Sequence, residues 1–153
     1  MAPGNALSPQ LVARRPQTAD VRRFAFELPA RAESAARARH LMGRRLALWG
    51  IDEDVRDTVE LIVSELVTNA VVHTASSRVV CELRDGGEQL RIAVQDEGCP
   101  ALGPGLRHVA ADECGRGLMI VDALSSAWGA HDARHGVGRI VWAELALDPA
   151  DPC

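Results

Sequence analysis

The sequence predicts an α+β fold, a two-layer α/β sandwich with helices on one face of a mixed, mostly antiparallel sheet. Three observations lead there. Apolar residues recur at helical spacing up to about His73 and then switch to a period of two from Val79 onward. Asp85-Gly86-Gly87-Glu88 separates two alternating runs, a strong hairpin signal. The resulting element order is β-α-α-β-β-loop-α-β-β.

Residues 1–20 contain Pro3, Gly4, Pro9 and Pro16 with little periodicity, so a flexible N-terminal tail is expected. Arg22 to Leu28 is a short strand candidate, stopped by Pro29. Ala30 to Trp49 is rich in strong helix formers and ends at Gly50, a suitable C-terminal stop. The second helix should open at Asp52, an N-cap followed by Glu53 and Asp54, and run to about His73. Strands are expected at Val79–Leu83 and Leu90–Asp96. The Gly/Pro-rich stretch from Glu97 to Cys114 has no convincing periodicity, and so long an irregular loop points to function. A third helix from Leu118 to about Leu124 and strands near Ala127–His131 and Val137–Leu147 complete a domain at 21–147, before a C-terminal tail at 148–153.

At 153 residues the chain suits one domain with its own core. It is 47% apolar and 25% charged, ordinary for a soluble globular protein. A net charge of −4 gives no electrostatic reason to expect a nucleic-acid partner. All 17 basic residues are Arg, so any cationic contact to a phosphate must come from a guanidinium. The cysteines at 81, 99, 114 and 153 form no CxxC pair, which speaks against zinc and for reduced thiols in a cytoplasmic protein. No apolar leader opens the chain, and Ala30 to Arg45 is too charged to span a bilayer, so a soluble protein without a membrane partner is expected.

Three places interrupt the core pattern. On the second helix, Val55, Val59, Ile62, Val63, Leu66 and Ala70 form an apolar stripe. Glu65 and Asn69, one turn apart, fall on its border and would look into a cleft or out to solvent. His73 continues the row, where a packed, hydrogen-bonded histidine is expected. In the strand Leu90-Ile92-Val94-Asp96 the carboxylate is in phase with the apolar face, which is costly unless donors meet it. The exocyclic amine of adenine would satisfy it, and Gly98 would let a ligand approach. The alternative is that Asp96 starts a turn past the strand end. Gly115-Arg116-Gly117-Leu118 enters a helix from the long loop, a place where free N–H groups can meet an anion or where glycines simply end a loop.

The order of these segments resembles the histidine-kinase-like (GHKL) ATPases, the superfamily that includes gyrase B and MutL. Glu65 to Thr74 resembles its N-box, Asp96-Glu97-Gly98 its first glycine box and Gly115-Arg116-Gly117-Leu118 its second. Val63 to Thr74 and the ending Gly138 to Leu145 look like the anti-sigma-factor serine kinases of the SpoIIAB/RsbW type. The resemblance covers roughly residues 21–147 and implies the Bergerat ATP-binding fold. It implies that Asn69 ligates a Mg²⁺ bridging the phosphates of ATP and that Glu65 acts as general base or orients the attacking hydroxyl. It further implies that Asp96 reads the adenine amine, that Gly98 makes room for the base, and that Gly115, Arg116, Gly117 and Leu118 lie near the phosphates below a lid at Cys99–Cys114. The γ-phosphate would go to a serine of an anti-anti-sigma (STAS-type) protein, with a sigma factor as second partner; the family often dimerises. Two departures stand out. The family's last strand usually carries a Thr beside the adenine, and that position is taken here to be Ile140, which predicts weaker ATP binding. Cys99-Pro100 follow Gly98 where a second Gly is usual.

Two functions compete: a protein serine/threonine kinase regulating a sigma factor, and a non-catalytic nucleotide-binding module that sequesters a partner. A detached histidine-kinase ATP-binding domain is a third, disfavoured because no phosphoacceptor-histidine hairpin is evident.

Overall fold

A computed structural model describes residues 21–73, 76–97, 118–133 and 138–147. The expected tails, the long loop with Gly98, Gly115, Arg116 and Gly117, and the His73 side chain lie outside the described residues.

Five strands form one sheet in the order β1-β2-β3-β5-β4. They are β1 (Arg22–Pro29), β2 (Arg78–Asp85), β3 (Gln89–Asp96), β4 (Ala127–Asp132) and β5 (Arg139–Ala146). All four pairings among the described residues are antiparallel, the dominant sense expected. Helices α1 (Ser34–Leu48) and α2 (Glu53–His73) pack on each other, and a short helix, α3, spans 118–124. Among the described residues no helix is long and apolar enough to cross a membrane.

Alternation along the strands decides which face carries the core. Leu28, Val79, Cys81, Leu83, Leu90, Ile92, Val94, Ala143 and Leu145 are all buried, and the register places them on one side of the sheet. The helices supply the opposite wall: Ala38, Met42 and Leu46 from α1, then Val59, Ile62, Val63, Leu66, Val67 and Ala70 from α2. The expected α2 stripe is therefore the buried one, except that Val55 is only partly covered and Val67 joins it. Val67 is enclosed because α2 packs on both the sheet and α1, which widens its buried arc beyond a single stripe. Val121 of α3 is buried in the same core. Burial pushes the Cys81 thiol up to about 12, so it stays protonated and unreactive.

Local chemistry sets the boundaries. Chain 29–33 turns before α1 begins: Ser34 Oγ donates to the Pro29 carbonyl at 2.6 Å, and the Ala30 N–H goes across to Ser77 O at 3.0 Å. The helix therefore starts at Ser34 instead of Ala30. It ends in a Schellman motif, with Gly50 N–H on Ala47 O and Ile51 N–H on Leu46 O, both 3.0 Å. The motif requires the left-handed Gly50, whose φ is 77°. Asp52 caps α2 by accepting from the Asp54 N–H at 3.0 Å. In the β2–β3 hairpin, Asp85 is 5% exposed yet satisfied. It accepts from Gly87 N–H at 2.9 Å and from Arg22 Nη2 at 2.5 Å.

Candidate functional site

The site forms where the end of α2 meets the end of β3. α2 packs on β3, and both elements finish at the same edge of the core. Just past α2, the chain is stitched to the residue just past β3. Ser77 N–H donates to Glu97 Oε1 at 2.7 Å, and Glu97 N–H donates to Ser76 Oγ at 2.7 Å. Arg78 Nε stands 3.6 Å from Glu97 Oε2. The Ser77 amide holds the Glu97 carboxyl below its ordinary range, with smaller help from the Ser77 hydroxyl and Arg78. Glu97 carries no local mark of this role in the sequence, because it sits in a Gly/Pro-rich stretch and Ser77 lies 20 residues upstream. No periodicity could reveal it.

This stitch fixes Asn69, one turn before the end of α2, at the same edge as Asp96, the last residue of β3. Asp96 is 5% exposed and stays in phase with buried Leu90, Ile92 and Val94. It thus belongs to the strand, on the helix-facing side, and the turn-starting alternative falls. Glu65 and Asn69 are half-buried, as border positions of a buried stripe should be. Asn69 Nδ2 is buried without a hydrogen-bond partner. Leaving such a donor unmet costs about 1–3 kcal/mol, so it is an open valence aimed at something else. Leu118 opens α3 and packs partly buried against the core. Among the described residues, no group of three or more His, Cys, Asp or Glu side chains could hold a metal by itself. A divalent ion here would rest on the Asn69 amide and on ligand phosphates, the usual arrangement for Mg²⁺. The donor set fits that role, since rotation of the amide offers either its oxygen or its nitrogen.

The sheet register corrects one expectation. Ile140 pairs with Gln95 and His131, which share the face turned away from the helices, whereas Asp96 pairs with Arg139. Alternation therefore puts Ile140 on the far side of the sheet from Asp96, and the residue beside Asp96 is Arg139. Gly138 fixes this register. Its φ is 140°, and a Cβ there would stand 3.0 Å from the Asp96 carbonyl oxygen and 3.1 Å from the Ala133 Cβ. Only glycine lets the start of β5 come this close to Asp96.

The outer face carries a separate cavity of ≈ 520 Å³, lined by Arg23, Glu82, Arg91, Gln95, His131 and Ile140 among others. Of the residues the sequence placed at the nucleotide site it holds only Ile140. Its charges are largely paired, Arg91 with Glu144 at 3.1 Å and Arg23 with Glu82. It is open sheet surface and stands apart from the α2–β3 edge.

The model of the histidine kinase-like ATPase domain matches residues 28–145. No curated protein matches the chain. Among solved structures, the crystal structure of the RsbU and RsbW domains of Rv1364c from Mycobacterium tuberculosis is similar, with a TM-score of 0.59 and 23% identity. The match covers 84% of this chain and 34% of that one, so this chain corresponds to about a third of its neighbour.

Two outcomes follow from this geometry. Because the Glu97 carboxyl is held low, its charge stabilises the fold above the ordinary value of 4.5, and that contribution is lost as pH falls through the lowered one. Glu97→Gln should therefore melt below the wild type at neutral pH, with the gap closing in acid, as followed by thermal unfolding across pH. A gap independent of pH would take the effect away from the charge. Ile140→Thr should change nucleotide affinity by less than about 0.5 kcal/mol, since the side chain faces away from the site; titration calorimetry checks this, and clear tightening would overturn the facing assigned here.

Proposed function

The chain belongs to the histidine kinase-like ATPase domain family, and from that premise we propose that it is an anti-sigma-factor-type regulatory protein with serine kinase activity. It binds Mg·ATP at the α2–β3 edge and passes the γ-phosphate to a serine of an anti-anti-sigma (STAS-type) partner, with a sigma factor as its regulated target. The observation that carries the reading is the buried, partnerless Nδ2 of Asn69, at the same edge as the buried carboxylate of Asp96. One end of that edge offers an amide to metal and phosphate, and the other offers an acceptor to a base amine. The likeness in fold to a chain with an RsbW domain supports the regulatory part.

The roles divide by chemistry. Asp96 would accept from the adenine amine, and Asn69 would hold Mg²⁺, which neutralises phosphate charge. Gly98, Gly115, Arg116 and Gly117 are assigned to base and phosphates by family resemblance, and Leu118 begins the helix behind them. Glu65, one turn before Asn69 on the same helix, would take the proton of the serine hydroxyl as its oxygen bonds to the γ-phosphorus and ADP departs. Phosphoryl transfer asks mainly for positioning and charge stabilisation, so a site with one base and one metal-holding amide is sufficient in kind.

The test separates binding from transfer. Asn69→Ala should abolish the Mg²⁺-dependent part of ATP binding in a titration with and without the metal; unchanged affinity would mean that the nucleotide sits elsewhere. Glu65→Ala should keep ATP binding and lose phosphoserine on the partner by about 10²–10⁴-fold in rate, the range of general-base catalysis. Absence of transfer by the wild-type protein, under conditions where ATP binds, would leave the non-catalytic partner-sequestering module.

A further inference from the structure

The outer face of the sheet is left uncovered by the helices and takes no part in the proposed nucleotide site. The ladder registers order it into three cross-strand rows. The first runs Arg23, Arg84, Arg91, Glu144 and Ala127 from β1 to β4. The second runs Ala25, Glu82, Ala93, Trp142 and Gly129. The third runs Glu27, Val80, Gln95, Ile140 and His131. Small residues hollow the middle, giving the cavity of ≈ 520 Å³ lined there by Ala25, Val80, Ala93 and Ile140. The Trp142 indole lies close against β4, since a Cβ on Gly129 would stand 2.9 Å from the ring, and the Arg91 guanidinium lies over it at 4.4 Å. Three arginines opposed in one row repel one another. Arg91 is answered by Glu144 at 3.1 Å, but Arg84 is served poorly. Its side chain is 50% exposed, and its Nε stands 3.5 Å from the Glu82 carboxylate that Arg23 already holds.

A half-turn about an axis along β3 lays this face on a second copy of itself, with β2 over β5 and β1 over β4. Each row then meets the same row reversed. Arg84 meets Glu144, Glu27 meets His131, and Val80 meets Ile140. Ala25 meets Gly129, and Glu82 meets Trp142, whose indole N–H is a donor. On the axis, Ala93 meets its own copy where the faces come closest, and Gln95 meets Gln95, amide to amide. Arg91 also meets itself there, but Glu144 and Trp142 already hold it. An isologous interface requires one rotation to match many positions at once, and a foreign partner has no reason to share that match. The area is adequate: five strands of up to eight residues, at about 4.8 Å per strand and about 3.3 Å per residue, present roughly 600 Å² per copy. Roughly 1,200 Å² in total reaches the lower end of stable, specific interfaces. We infer that the outer sheet face binds a second copy of this chain, sheet on sheet, about a two-fold axis along β3. Aligned packing of two sheets is a common arrangement, and it leaves the α2–β3 edge of each copy on the outside of the pair. The inference does not depend on what that edge binds.

Sedimentation velocity on the full chain tests it. The wild type should be a dimer at about 50 μM, a concentration suited to the weak end of affinities for such an interface. Arg84→Glu and Glu144→Arg each set like charges across the axis, and each should raise the dissociation constant at least about tenfold. An equimolar mixture of the two variants should recover the dimer, because the reversed residues then face each other and the native pair faces itself. Misfolded variants would not be rescued by mixing, so the recovery reads the interface and not stability. A monomeric wild type at that concentration overturns the inference. So does a dimer indifferent to both substitutions, which would place the contact on another surface, and so do two monomeric variants whose mixture stays monomeric. Each of these outcomes leaves the proposed function standing.

Discussion

The hydrogen bonds between Glu97 and the Ser76–Ser77 turn tie the exit of α2 to the exit of β3, and the rest of the site depends on that tie. A helix and a strand that merely pack together can slide along each other by a turn with modest loss of apolar burial. Joining their ends with two short hydrogen bonds removes that freedom. Asn69 and Asp96 are then held at one edge although 27 residues of chain separate them. The Ala30 N–H bond to Ser77 O brings the end of β1 to the same junction, so three segments share one anchor.

The second constraint is the parity of the sheet. A strand has only two faces, and a shift of one residue moves a side chain from the helix-facing side to the solvent side. Continuous pairing of Gln89–Asp96 with Arg139–Ala146 leaves no bulge to absorb such a shift. This is why Arg139 and Ile140, adjacent in sequence, belong to different surfaces. One borders Asp96, and the other lines the open outer face with Gln95 and His131.

Electrostatics follows from this division. The outer face spends its charges on one another across the strands, as in Arg91–Glu144 and Arg23–Glu82. Exposed pairs of this kind add little stability but keep the face soluble. The helix-facing edge instead holds a buried carboxylate, a buried amide nitrogen without a partner, and an arginine, Arg139, in register with two aspartates. A domain gains nothing by burying such groups for their own sake. Their concentration at one edge is what separates a site from a surface.

Much of this was legible before any coordinates. Apolar periodicity determined α2 and its buried stripe, Asp52 and Gly50 determined where helices begin and end, and the Asp85–Glu88 turn determined the hairpin. The in-phase position of Asp96 and the border position of Asn69 followed from the same local rules, because helix and strand periods are properties of a few consecutive residues. The tertiary structure alone decided the partners of Glu97, the enclosure of Val67 and the face on which Arg139 and Ile140 fall. Each of those depends on a second segment, through a hydrogen bond, a packed helix or a ladder register. A short strand entered from a glycine carries no local mark of which of its two faces will meet the core.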